Sequence, residues 1–125
     1  MRPILPALCL CLLSACGAGQ AMTGDLSSGG TWTSPAPDAV AYEAVAIAPD
    51  ACWTATAAES HDATGDTLAI YRTMRREPGI CAAVLTRIAF DGLIEGLAAA
   101  PARVEIVILD AAGRERQRFA LTPGA

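Results

Sequence analysis

From residue 40 onward, turn-forming residues interrupt this chain about every dozen positions, and that punctuation constrains its fold more than any other feature. A long amphipathic helix does not fit between such breaks, whereas short strands do. Residues 40–48 read as a strand closed by Pro49 and Asp50, and residues 67–73 as another, with Leu68 and Ile70 on one face. Residues 103–109 (RVEIVIL) make the clearest strand. Asp110 to Gly113 turns the chain, and residues 115–121 return with Glu115, Gln117, Phe119 and Leu121 on one side. Residues 52–58 alternate threonine with alanine after a tryptophan, while residues 59–66 (ESHDATGD) carry turn chemistry, as does Glu77-Pro78-Gly79. Residues 80–90 set Ile80, Ala82, Val84, Ile88 and Phe90 on one side. Such a run also fits a helix, but Thr86, Ile88 and Phe90 ahead of Asp91 and Gly92 favour a strand. Residues 98–101 read as a loop, with one or two helical turns over residues 93–100 as the alternative.

Roughly six strands of this kind predict an all-β domain, either a sandwich or a small barrel. The layout of Cys52, the Pro78-Gly79 turn, Cys81 and strand 103–109 resembles small immunoglobulin- or fibronectin-like exported domains. The resemblance is architectural. The tyrosine of the tyrosine corner is missing, and Trp53 directly follows Cys52 instead of lying between the two cysteines.

The core is expected within residues 40–125. A domain that small hides only about 60% of its unfolded surface, so a covalent staple is expected. Five cysteines are present: Cys9, Cys11, Cys16, Cys52 and Cys81. The first two lie in an apolar leader, and Cys52 with Cys81 forms an even pair suited to a disulfide in an oxidising compartment. Closing that loop contributes about 3.6 kcal/mol in the chain-entropy treatment. Two free buried thiols are the alternative.

Arg2 supplies a positive start, and residues 4–15 form an apolar stretch interrupted by Pro6. As a helix this stretch spans about 18 Å, short of the roughly 30 Å hydrocarbon core, which suits a signal peptide rather than a membrane span. It ends in Leu13-Ser14-Ala15-Cys16. That sequence resembles the lipobox of bacterial lipoproteins at every position. The resemblance implies a diacylglyceryl group on the Cys16 sulfur, cleavage before Cys16, and acylation of the new amino group. It also implies a membrane partner reached through the lipid anchor, with the chain facing the periplasm. Gly17 at the second mature position, in place of aspartate, favours the outer membrane. The domain organisation is therefore a signal peptide at 1–15, a lipidated tether at 16–39 and a β-domain at 40–125. Residues 17–38 are rich in glycine, serine and proline and read as flexible coil. Trp32 either docks on the domain or sits at the lipid interface.

The formal charge is −4 for the whole chain and −5 without Arg2, which argues against a nucleic-acid partner. Lysine is absent, so arginine carries all the basic charge. Arg72, Arg75 and Arg76 make one cluster. Arg114, Arg116 and Arg118 alternate on the last strand, either keeping an edge soluble or binding an anionic envelope polymer or a protein partner. His61 is the only histidine, and with Ser60 in a turn it makes a poor start for a hydrolase triad. Glu59, His61, Asp62 and Asp66 lack the alternating ligands of a calcium loop, and zinc lacks ligands, so no metal or other cofactor is expected. The sequence thus predicts a non-enzymatic envelope binding or assembly module. The alternative is an inhibitor-like or accessory lipoprotein acting on an envelope enzyme.

Overall fold

A computed structural model describes residues 26–124, so the expected leader and the expected lipid site at Cys16 lie outside the described residues. Eight strands follow in chain order: β1 (Gly29–Ala36), β2 (Ala39–Ala48), β3 (Trp53–Thr64), β4 (Thr67–Arg76), β5 (Thr86–Ile94), β6 (Arg103–Leu109), β7 (Glu115–Ala120) and β8 (Thr122–Pro123). They form two four-stranded sheets, ordered β5-β2-β1-β8 and β3-β4-β6-β7. Two-residue periodicity explains how they meet. Val40, Tyr42, Ala44, Ala46 and Ala48 on β2 and Ile88, Phe90 and Ile94 on β5 face inward. Opposite them lie Leu68, Ile70 and Met74 on β4 and Val104, Ile106 and Ile108 on β6. The result is the expected β-sandwich. Each sheet carries one parallel pair, β1 with β8 and β4 with β6, where an immunoglobulin sandwich is built from antiparallel sheets.

Several expectations need correction. Residues 29–36, assigned to the tether, form β1, so the domain begins at Gly29 rather than at residue 40. Pairing with β2 on one side and β8 on the other overrides the coil-like composition. Trp32 packs against the core, which settles its docking. A side chain at Gly30 would collide with the backbone of Glu43 and Ala44, so glycine permits the close approach of β1 to β2. Residues 59–64, read as a turn, belong to β3, and the turn shrinks to Gly65 and Asp66, with Gly65 at φ +62°. Residues 80–85 are irregular and β5 starts only at Thr86, then runs on through Asp91 and Gly92 to Ile94. Ile80 and Val84 therefore face solvent instead of the core.

Gln117 on β7 shows how the sheets are tied. β1 pairs with β2 only as far as Val45, which leaves the β1-side edge of β2 open at Ile47. The Gln117 side-chain amide fills that place, accepting from the Ile47 N–H at 3.2 Å and donating to its carbonyl. The side chain thus supplies the hydrogen bonds that a longer β1 would have made.

Candidate functional site

The most connected side chain in the core is Arg72. It follows Leu68 and Ile70 on the inward face of β4 and is only 8% exposed. A buried guanidinium requires partners for its donors. The pairing of β3 with β4 slips between Ala55 and Glu59, and this bulge presents two carbonyls toward Arg72. Nε donates to Ala58 O at 3.1 Å and Nη2 to Thr56 O at 3.2 Å. Nη1 donates to the Tyr42 hydroxyl at 2.7 Å and to Asp91 O at 2.8 Å. The guanidinium lies 5.1 Å from the centre of the Phe90 ring, and Glu59 Oε2 is 3.7 Å from Nη1. Tyr42 in turn donates to Glu59. Burial, reinforced by the Glu59 carboxylate, pushes the Tyr42 hydroxyl up to about 12 despite the opposing pull of Arg72. A Cβ at Gly92 would sit 2.7 Å from the Tyr42 hydroxyl and closer still to Glu59, so glycine makes room for this group. The arrangement joins four strands across both sheets, and all three guanidinium nitrogens are engaged within the protein. It is a clamp.

The two arginine clusters therefore separate. Arg72 is withdrawn from any surface. Arg75 pairs with Glu77 at 2.8 Å and Arg76 with Asp50 at 3.1 Å. On the edge strand β7, Arg118 binds Glu105 at 2.7 Å and Glu115 at 2.8 Å. Arg116 lies 4.0 Å from Asp110 and stacks 4.8 Å from the centre of the Trp53 ring. Only Arg114 among these six makes no ion pair within 4.0 Å among the described residues. Ion pairs thus engage most of both clusters, and Arg72 alone is lost from the surface set. Cys52 and Cys81 are joined as a disulfide, with their Cα atoms 5.5 Å apart. Asp50 lies beside that bond, but the two sulfurs are committed to each other and do not offer metal ligands. Hydrogen bonding from the Cys52 N–H, followed by Arg76, holds the Asp50 carboxyl below its usual range. His61 is exposed on β3, with Ser60 and Asp62 alternating to the other face, and Glu59 is drawn into the clamp. The acidic residues of 59–66 are thus dispersed.

A feature that sequence reading missed lies on the outer face of the sheet containing β2. Three rows cross β1, β2 and β5: Gly29, Val45 and Ala89; Gly30, Ala44 and Phe90; Thr31, Glu43 and Asp91. Together they line a shallow cavity of about 380 Å³. A second depression of about 310 Å³ shares Gly29, Gly30 and Val45 and extends to Ser27, Ser28 and Arg87. Gly29 and Ala89 beside half-buried Val45 make the floor, with Glu43 and Asp91 facing each other along one wall. Its only sequence signal is the alternation Glu43, Val45, Ile47 against Arg87, Ala89, Asp91, which marks an outer face without revealing that the strands pair in this register. No family model matches the chain, and neither the curated proteins nor the solved structures yield a match.

Proposed function

We propose that this chain is a lipid-anchored lipoprotein of a bacterial cell envelope, facing the periplasm from the outer membrane, and that its sandwich is a non-enzymatic binding or assembly module. The observation that carries the reading is Leu13-Ser14-Ala15-Cys16 behind a charged start and a short apolar run. Two or three acyl chains, at ~0.8 kcal/mol per buried CH₂, hold a protein at a membrane where one holds it only marginally. The shallow depression over Val45 supports the binding role as a recess on the outer sheet face in which a partner's side chain can seat. Its Glu43 and Asp91 wall favours a cationic or hydrogen-bond-donating protein segment over an anionic polymer.

Cys16→Ser tests the anchor: metabolic fatty-acid labelling should vanish, and labelling that persists overturns the reading. Capture from detergent-solubilised envelope tests the face. A partner held by the parent chain should be lost from Ala89→Trp, which fills the depression, and equal capture by both refutes the assignment.

A further inference from the structure

Among the described residues five large apolar side chains are exposed, and four of them lie at one end of the sandwich. Ile80 is fully exposed, Val84 54%, Leu85 55% and Leu26 46%, whereas Leu93 is elsewhere. The register places them. Ala48 at the end of β2 pairs with Thr86 at the start of β5, Gly29 at the start of β1 pairs with Val45, and Trp53 at the start of β3 pairs with Arg76 at the end of β4. Loop 77–85 and residues 26–28, where the chain enters the domain, therefore share this proximal end.

The loop is held, not loose. Its backbone is tied to segment 49–52 by Glu77 N–H to Cys52 O at 2.8 Å and Ala51 N–H to Ala82 O at 3.1 Å, and the disulfide joins the same two segments. Ile80, Val84 and Leu85 are thus presented outward by a braced scaffold. Apolar side chains clustered in this way mark a contact surface.

Charge has the same polarity. Among the described residues, the proximal end, with the ends of β4 and β6 and the starts of β5 and β7, carries Arg75, Arg76, Arg87, Arg114 and Arg116 against Asp50, Glu77, Asp110 and Glu115. The distal end, at the turns after β1, β3 and β5, carries Asp38, Asp62, Asp66 and Glu95 against Arg103. In a chain that is acidic overall, the proximal end is the one an anionic surface does not repel.

We infer that loop 77–85, through Ile80, Val84 and Leu85, is a second and non-covalent membrane contact that seats the proximal end of the sandwich on a bilayer containing anionic headgroups. The inference rests on the lipoprotein reading above. Leu26 is ten chain steps from Cys16, a span of at most about 35 Å even when fully extended, so an acylated Cys16 keeps this end within that reach of the bilayer. Apolar side chains then enter the interface while the surrounding arginines reach the headgroups. Seating this end leaves the distal turns turned away from the lipid.

The test uses the processed chain purified from its host membrane and reconstituted in phosphatidylethanolamine–phosphatidylglycerol vesicles with brominated acyl chains. Val84→Trp and Leu85→Trp place a reporter on the loop and Leu93→Trp places one away from it, with the parent chain as background for Trp32 and Trp53. Loop reporters should shift to the blue and lose most of their added emission to bromine, while the Leu93→Trp emission stays. Mass analysis of the Cys16 peptide reads the anchor separately. Acylated protein whose loop reporters go unquenched overturns the membrane contact alone, and a Cys16 peptide without acyl groups takes down both readings. A blue shift that grows with protein concentration, without bromine quenching, would assign the loop to a second copy of the chain and overturn the lipid assignment.

Discussion

Replacing Arg72 with methionine should destabilise the domain by about 3–5 kcal/mol, the cost typical of breaking a buried ion pair by removing one partner. The apolar stem is nearly conserved by this change, so lost packing contributes little. What is lost is the set of donors. Thr56 O, Ala58 O, Asp91 O and the Tyr42 hydroxyl lose the guanidinium, and Glu59 keeps a part-buried carboxylate without its cation. Swapping a buried pair for apolar groups is often neutral, because both partners can be replaced. Here three acceptors are backbone carbonyls that no substitution removes, so the unsatisfied groups decide the sign. A domain of this size has a total stability of about 5–15 kcal/mol, so the change removes a large fraction of it. The melting temperature should fall by roughly 12–40 °C. Urea unfolding of the chain lacking residues 1–16, followed by tryptophan fluorescence, measures the loss, and an unchanged m-value confirms two-state comparison. Adding Glu59→Gln to Arg72→Met should cost less than the sum of the single changes, with a coupling above about 0.5 kcal/mol. A loss below about 1 kcal/mol for Arg72→Met, or additive effects, would show that water or a shifted bulge satisfies these groups and would refute the clamp.

The remaining predictions concern the hydroxyl and the staple. Because the folded Tyr42 pKa is raised to about 12 from 10.0, its stabilising contribution is full below pH 10 and falls as the pH rises toward 12. Alkaline unfolding titrations should show this slope, and Tyr42→Phe should flatten it; an identical slope in the variant would place the titration elsewhere. Reducing the Cys52–Cys81 bond should cost about 2–4 kcal/mol, read as a melting temperature lowered by roughly 8–30 °C. Free alkylation of both thiols in the oxidised native protein would contradict the bond.

Much of the second sheet was legible because its residues keep one period without interruption. The runs 67–73 and 103–109 are strands where expected, as is 115–121 up to Ala120, and Asp110 to Gly113 forms the connection: the Asp110 carboxylate accepts from Ala112 and Arg114 N–H at 2.9 and 3.0 Å. The period also placed position 72 on the same face as Leu68 and Ile70. The cluster with Arg75 and Arg76 obscured that, since charge patterning suggests a surface and alternation suggests the core. Alternation was right, because a bulge on another strand supplied acceptors.

Local sequence, then, determined what depends on near neighbours: alternating faces, short turns and the even pair of cysteines. Tertiary structure decided what depends on partners far along the chain. Composition made residues 29–36 coil and 59–64 a turn, yet hydrogen bonding to β2 and β4 made both into strands, since a strand's backbone groups are satisfied only across the sheet. The same dependence left Ile80 and Val84 outside. The braces to segment 49–52 and the disulfide hold loop 77–85 at the end of the sandwich, beyond the reach of its core.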